Sequence, residues 1–511
     1  MIVTSTIFQF LLFTVPAYNT ILAVKIYTTA TDSIVDASFF QLDETMLCND
    51  YPEASVKPTD IPPATNNDFS HNVRLHFSPN ETSLPDFLII APKVLYDSLY
   101  YELRTYAEDV HAIYGYGVYL EAVENASPEQ LKSLILGYQN NLYGVLLVGN
   151  LHECMFEIEK DYGDNYNYGY RKWPCDLFFM DLNGTWADTD INGIYDTHNG
   201  DVAPDIILGR MSAVGLSSLG NEVALIRKQL QKSHFFWWKS SFHSADTALN
   251  YIYQDWLHRF IANYIALVFS TGFVDDIRNV AGSPFSKSDY LNRLSLEQYG
   301  FVHLAAHSTA TRHNFRDFGG NASLSEISAA VHNNRCLAYN LFCCSACNWL
   351  AASSQGFLGG VYLFNNERTL GVVGSTKTGG MNISNLFYTY LSTKNIGEAF
   401  RDWWRTELGN SNTVSTISWY YGMTILGDPM IYLRHQVSDI CVANLTLTSF
   451  PSDNHSNLVM FKAGNQIKVT GNFTIPQGTH VIFDAPKVTF EKGFKCPMGA
   501  SFETRNEGCE L

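Results

Sequence analysis

Between residues 86 and 435, short apolar runs alternate with segments whose apolar residues recur every three to four positions. "FLIIA" at 87–91 has the length of one buried strand, and Leu99, Leu103, Tyr106 and Val110 follow at the spacing of a helix face. "VYLEAV" predicts a second strand. In "SPEQLKSLIL", Ser127 stands at an N-cap, Pro128 at the first helical position and Gln130 at the capping-box position, so a helix should start there. "YGVLLVG" at 143–149 predicts a third strand. "DLFFMD", "DIILGRM", "YGFVHLAAH", "CLAYNLFCC" and "TLGVVGS" continue the alternation, with long aromatic helical segments around residues 226–238 and 251–269. "NIGEAFRDWWRTEL" predicts a capped helix, with Asn395 as N-cap and Glu398 three residues later. Strands alternating with helices predict an α/β fold: a parallel sheet with helices on both faces, in two subdomains at 86–215 and 216–435.

The texture differs at both ends. Residues 25–85 are rich in Pro, Asp, Asn and Thr and read as an N-terminal linker or propeptide. Over 436–511, short alternating runs between Gly and Pro turns predict a small C-terminal all-β domain with a hairpin-like repeat. A disulfide between Cys496 and Cys509 is expected to staple it, because small β domains in oxidising compartments need such links.

Composition narrows the function. The 511 residues are 46% hydrophobic and 14% aromatic, enough for a large core. The balance of 50 acidic against 33 basic residues gives a net charge of −17, and no basic run could neutralise a phosphate backbone. Nucleic acid is therefore not an expected partner. Residues 1–24 carry no charged side chain, and apolar "IFQFLLFTV" followed by the small residues of "VPA" predicts a signal peptide. N-x-Ser/Thr sequons between Asn80 and Asn472 agree with a secretory route. The mature chain is expected to be soluble and secreted or extracellular.

Two consecutive strand-like runs end in reactive residue types: "GFVHLAAHS" at His307 and "CLAYNLFCCS" at Cys343 and Cys344. In a parallel sheet the carboxyl ends of neighbouring strands open into one crevice. A His and a Cys placed there can form a thiolate–imidazolium pair, in which the imidazole lowers the thiol pKa and protonates the leaving amine. His303 lies on the same face of this run as His307, and the downstream His313 is the alternative histidine. Cys347 is a third thiol of the cluster. Zinc is the rival reading of the cysteines, but a second ligand pair at finger-like spacing is missing.

The order His then Cys, each at a strand end, resembles the caspase-like clan of cysteine peptidases, and in particular the gingipain-type family. "LLVGN", "DLFFMDLNGTW", "APDIILGRMSA", "NLFCCSACNW", "LGVVGSTKTG", "IGEAF" and "YYGMTILGDP" fall in the order of gingipain-like domains across roughly residues 87–433. The resemblance implies a caspase-like α/β sandwich and a peptidase acting on protein or peptide substrates. Its parts would be a His base, a Cys nucleophile and an oxyanion hole of backbone N–H groups. An aromatic residue follows the nucleophile by five positions in that family, which favours Cys344, with Trp349 there, over the alternatives Cys343 and Cys347; His307, at its strand end before a turn-like stretch, is the expected partner. Ser308 replaces the Gly usual after the histidine, and the small residue usual before the nucleophile is Cys343. A catalytically impaired binding module and a transpeptidase are the alternatives to hydrolysis.

"DTDINGIYD" at 188–196 matches D-x-[DN]-x-[DN]-G, with oxygen ligands Asp188, Asp190, Asn192 and Asp196 and Gly193 at the tight turn. A structural Ca²⁺ is expected there, although Asn199 stands where a bidentate Glu belongs and no helical pattern flanks the loop. An Asx-rich turn satisfying its own backbone is the competing reading. The resemblance also implies structural calcium without fixing its ligands.

Overall fold

The structure, a computed structural model, describes residues 35–38, 70–73, 85–162, 169–239, 242, 246–253, 261–296, 299–316, 318–351, 356–379, 385–408, 413–433, 441–450 and 458–509. The expected signal peptide at 1–24 and most of segment 25–85 lie outside these residues.

An 11-stranded sheet organises the chain. Its strands in chain order are β1 (Ser70–Val73), β2 (Asp86–Pro92), β3 (Gly117–Val123), β4 (Leu142–Val148), β5 (Ile207–Met211) and β6 (Thr247–Ile252), then β7 (Val274–Arg278), β8 (Tyr299–Ala305), β9 (Ala338–Phe342), β10 (Gly371–Ser375) and β11 (Met423–Gly427). The spatial order is β7-β6-β8-β9-β10-β11-β5-β4-β2-β3-β1. Strands β7, β6, β8, β9 and β10 run parallel, as do β11, β5, β4, β2 and β3. The two sets meet at an antiparallel β10–β11 pair. Strands β5, β8, β9, β10 and β11 are buried along their whole length, which is why they read as continuous apolar runs rather than alternating ones.

The α/β class is as expected, and the local signals behave as their chemistry dictates. Helix Lys93–Tyr114 buries Leu99, Leu103, Tyr106 and Val110 and stops at Gly115, whose φ of 72° is the left-handed conformation that glycine adopts at least cost. Ser127 and Gln130 form the reciprocal capping box of helix Pro128–Leu136. Asn395 accepts the Glu398 N–H at 2.8 Å at the start of helix Ile396–Leu408. Two segments differ from expectation. "DLFFMD" holds a single helical turn, Leu177–Met180, and residues 251–269 begin in strand β6 and become helical at Ile261–Phe269. The apolar core of "DLFFMD" is only four residues long, and "YIY" at 251–253 is shorter still, so neither is long enough for periodicity to separate strand from helix.

The C-terminal part is all-β, but its strands are not hairpins. Asn444–Leu447, Gln466–Val469 and Lys487–Phe490 pair in parallel, and so do Leu458–Lys462, His480–Asp484 and Ser501–Arg505. Successive strands thus alternate between two ladders, and the chain coils with a repeat of about 21 residues around Ile467, Val469, Phe473, Phe483 and Phe490. Gly478 and Gly499, at φ of 84° and 86°, occupy stacked corners joined by a 2.8 Å backbone hydrogen bond. The expected Cys496–Cys509 disulfide is also corrected: Cys441 bonds Cys509, with Cα atoms 5.9 Å apart, and Cys496 is exposed and free. The N–H of Cys509 donates to the Ala463 carbonyl and that of Gly464 to Val442, so both bonded cysteines are held at the same corner. The unit docks through apolar contacts, with Ile482 joining the main core, and through charge. Arg505 meets Glu108 at 2.9 Å, and His234 bridges Asp109 at 2.7 Å and Glu507 at 3.1 Å.

Candidate active site

Four neighbouring parallel strands deliver chemistry to one rim. Ile252 of β6 is in register with Ala305 of β8, and Ala305 with Phe342 of β9. Tyr253, His307 and Cys344 therefore leave the sheet side by side, and residues 376–379 follow from the end of β10. This is the carboxyl-end crevice in which α/β folds place their sites.

His307 is half-buried, with the Tyr253 ring edge-on at 5.3 Å and 69°. It opens the short strand His307–Thr309, which pairs with Arg312–Asn314. Ser308 lies inside that strand and is not among the residues with positive φ, so no glycine-only conformation is demanded of it. Its hydroxyl donates to the Cys344 carbonyl. The residue that departs from the family pattern thus ties the histidine segment directly to the cysteine segment.

The cysteine cluster separates by environment. Cys343 is 0% exposed with its thiol toward the Leu304 carbonyl at 3.6 Å, and Cys347 is also 0% exposed. Burial pushes both thiols well above the ordinary value, which disfavours the nucleophilic thiolate. Cys344 alone of the three reaches the surface. Its Sγ accepts the Gly379 N–H at 3.5 Å. The next residue, Ser345, has φ of 55°, an uncommon conformation for a residue with a Cβ, and it turns the chain sharply just after Cys344. Ser345 N–H donates to the Lys377 carbonyl at 2.7 Å and Cys347 N–H to the Ser375 carbonyl at 2.9 Å, fixing the turn to the end of β10. Trp349 is buried against the Arg210 guanidinium at 4.7 Å, and Arg210 pairs with buried Asp176 at 2.6 Å.

His303 and the alternative His313 both sit in the core. His303 is held by the Tyr388 hydroxyl at 2.8 Å and His313 by that of Tyr362 at 3.0 Å. Burial pushes each imidazole down to about 3, which makes them poor bases at neutral pH.

The acidic loop at 188–196 joins two short antiparallel strands, Thr185–Ala187 and Thr197–Asn199, rather than two helices. Asp188 accepts the N–H groups of Asn192 and Gly193, at 3.1 and 2.7 Å. Asp190 and Asp196 converge with Glu157, one carboxylate oxygen of each lying within 4.8 Å of the others. Asn192 donates its amide to Glu157 at 2.7 Å and Asp190 at 3.0 Å. Local desolvation, Asp188 and the Glu157 charge raise the Asp190 carboxyl above its usual value. Three hard oxygen donors crowded in this way suit a divalent cation such as Ca²⁺. Sequence reading missed Glu157, which lies 31 residues before Asp188 and is delivered by its N–H bond to the Tyr195 carbonyl at 2.8 Å. No local spacing could have signalled it.

A family profile, peptidase family C25, matches residues 80–434. No curated protein matches the chain. Among solved structures, the complex of Porphyromonas gingivalis RgpB pro- and mature domains is 11% identical, with 71% of this chain and 84% of that chain covered at a TM-score of 0.48. The Arg-specific cysteine proteinase gingipain R (RgpB) is also 11% identical, with 72% and 84% covered at a TM-score of 0.49. With more than two-thirds of its length inside the profile, the chain belongs to peptidase family C25, the gingipain family of cysteine peptidases.

Proposed function

We propose that the chain is a secreted endopeptidase in which Cys344 is the nucleophile and His307 its acid–base partner. The observation that carries this reading is the level register of β8 and β9, from whose carboxyl ends the half-buried His307 and the only surface-reaching thiol of the cluster both emerge. The Cys344 thiolate attacks the scissile carbonyl, and His307 gives a proton to the departing amine. The resulting thioester is hydrolysed by water, with His307 now taking a proton. The family resemblance implies an oxyanion hole of backbone N–H groups at the histidine and cysteine segments, and each such donor is worth on the order of 10²- to 10³-fold in rate.

Secretion rests on the apolar, uncharged residues 1–24; among the described residues no helix is long and apolar enough to cross a membrane. Glu157, Asp190 and Asp196 are the residues suited to hold a structural Ca²⁺, with Asp188 and Asn192 shaping the loop. The test is turnover of a peptide library by the purified chain. Cys344→Ala and His307→Ala should each remove activity by on the order of 10³-fold or more, and the double variant should be little worse, because the pair acts as one unit. Full activity in either single variant would overturn the assignment.

A further inference from the structure

Next to Cys344 the core holds a charged pair that the dyad does not use. Lys377 is 4% exposed and faces the carboxylate of Asp161, itself 0% exposed, at 3.1 Å. The ammonium also donates to the Thr378 carbonyl at 2.5 Å and the Ser418 carbonyl at 2.7 Å, and the Tyr162 and Trp173 rings flank it at 4.8 and 5.0 Å. A lysine this buried is uncommon without a partner, and removing the partner leaves an uncompensated charge.

The main chain around Lys377 is the cradle of the nucleophile. Its carbonyl accepts the Ser345 N–H, and Gly379, two residues on, donates to the Cys344 sulfur. The Tyr162 hydroxyl closes the loop from outside by donating to the Thr378 carbonyl at 3.1 Å. We propose that Lys377, anchored by Asp161, is a positioning residue that both holds loop 376–379 against Cys344 and supplies a fixed positive charge favouring its thiolate. The proposal rests on the reading of Cys344 as nucleophile.

The charges that meet here are few enough to assign signs. Asp161, Arg171 and Cys344 act on Lys377: burial lowers its ammonium, Asp161 and Cys344 raise it, and Arg171 lowers it. Tyr162 presents its ring to the ammonium, Cys343 neighbours Cys344 in the chain, and His307 emerges beside it. Removing the cation should disfavour the thiolate, all the more because Asp161 is left behind. Removing the Asp161 charge should favour it, since the Thr378 and Ser418 carbonyls still hold the ammonium.

The experiment follows alkylation of Cys344 by iodoacetamide against pH in the full chain, read by mass spectrometry, alongside peptide turnover and melting temperature. Lys377→Met should move the acid limb of Cys344 alkylation to higher pH, slowing the reaction about threefold or more at a fixed mildly acidic pH. Asp161→Asn should move it to lower pH, and Lys377→Arg should stay close to the parent. A purely structural role predicts lost stability without opposite shifts. Shifts of the same sign, or none in folded variants, would overturn the proposal. If Lys377→Met does not fold, the Asp161→Asn and Lys377→Arg profiles decide. Turnover surviving in Cys344→Ala would sink the nucleophile assignment itself, a separate outcome from an unmoved alkylation profile.

Discussion

Raising the pH from about 6 to about 9.5 should loosen the seat of the C-terminal β unit through one residue, His234 on helix Glu222–Trp238. This imidazole is only 8% exposed. Burial alone would lower its pKa and Lys462 adds to that, but the Asp109 charge at 2.7 Å and the hydrogen bonds to Asp109 and Glu507 prevail and push it up to about 9. The same contact holds the Glu507 carboxyl well below its ordinary value. Because the folded value exceeds the ordinary 6.5, the contribution is fully present below pH 6.5 and is lost as pH rises through 9. Going from 6.5 to about 9 corresponds to about 3 kcal/mol. At roughly 2 cal/mol/K of unfolding entropy per residue, that is about 3 °C in melting temperature if the chain unfolds as one unit. Calorimetry across this range should show the parent losing that increment, while His234→Gln, which cannot be charged, should show a flatter profile and a lower melting temperature near pH 6. Equal slopes in parent and variant would refute the assignment of the charge to His234.

Further outcomes follow from the site. Iodoacetamide at mildly acidic pH should modify Cys344 faster than Cys343 or Cys347, both fully buried; equal rates by mass spectrometry would contradict the separation of roles. Cys343→Ala should change stability and leave turnover close to the parent, as measured by kinetics and melting together. Ser308→Gly removes the hydrogen bond to the Cys344 carbonyl and should cost about 1 kcal/mol of stability; an unchanged melting temperature would show that the hydroxyl ties nothing. A chelator should lower the melting temperature and added calcium restore it, by about 3 kcal/mol at a hundredfold excess over Kd. Glu157→Gln should blunt that response, and no response in the parent would remove the calcium proposal.

What the sequence disclosed follows the range of each signal. Ser127 with Gln130, and Asn395 with Glu398, act within one helical turn, so their caps were readable. The fully buried strands were readable as continuous apolar runs, and the order of His307 and Cys344 at two strand ends was enough to suggest a shared crevice. Contacts set by tertiary structure were not readable. Glu157 reaches the acidic loop only because its strand lies against Tyr195, and Lys377 meets Asp161 across 216 residues of chain. The C-terminal strands looked like hairpins because Gly and Pro mark corners of a parallel coil as readily as reversals. The partner of Cys509 is hidden from the sequence for the same reason, since a coil brings Cys441 beside it and leaves Cys496 exposed.

Covalent labelling of the purified chain with a panel of peptidyl acyloxymethyl ketones of varied P1 side chain, followed by peptide mass spectrometry, tests the Cys344–His307 dyad most directly. These reagents need a nucleophilic thiolate that accepts a peptide beside it. A Cys344–His307 dyad predicts a single adduct, on Cys344, which disappears in Cys344→Ala and is strongly reduced in His307→Ala. An adduct on Cys343 or Cys347, or labelling of Cys344 undiminished by loss of His307, would contradict it.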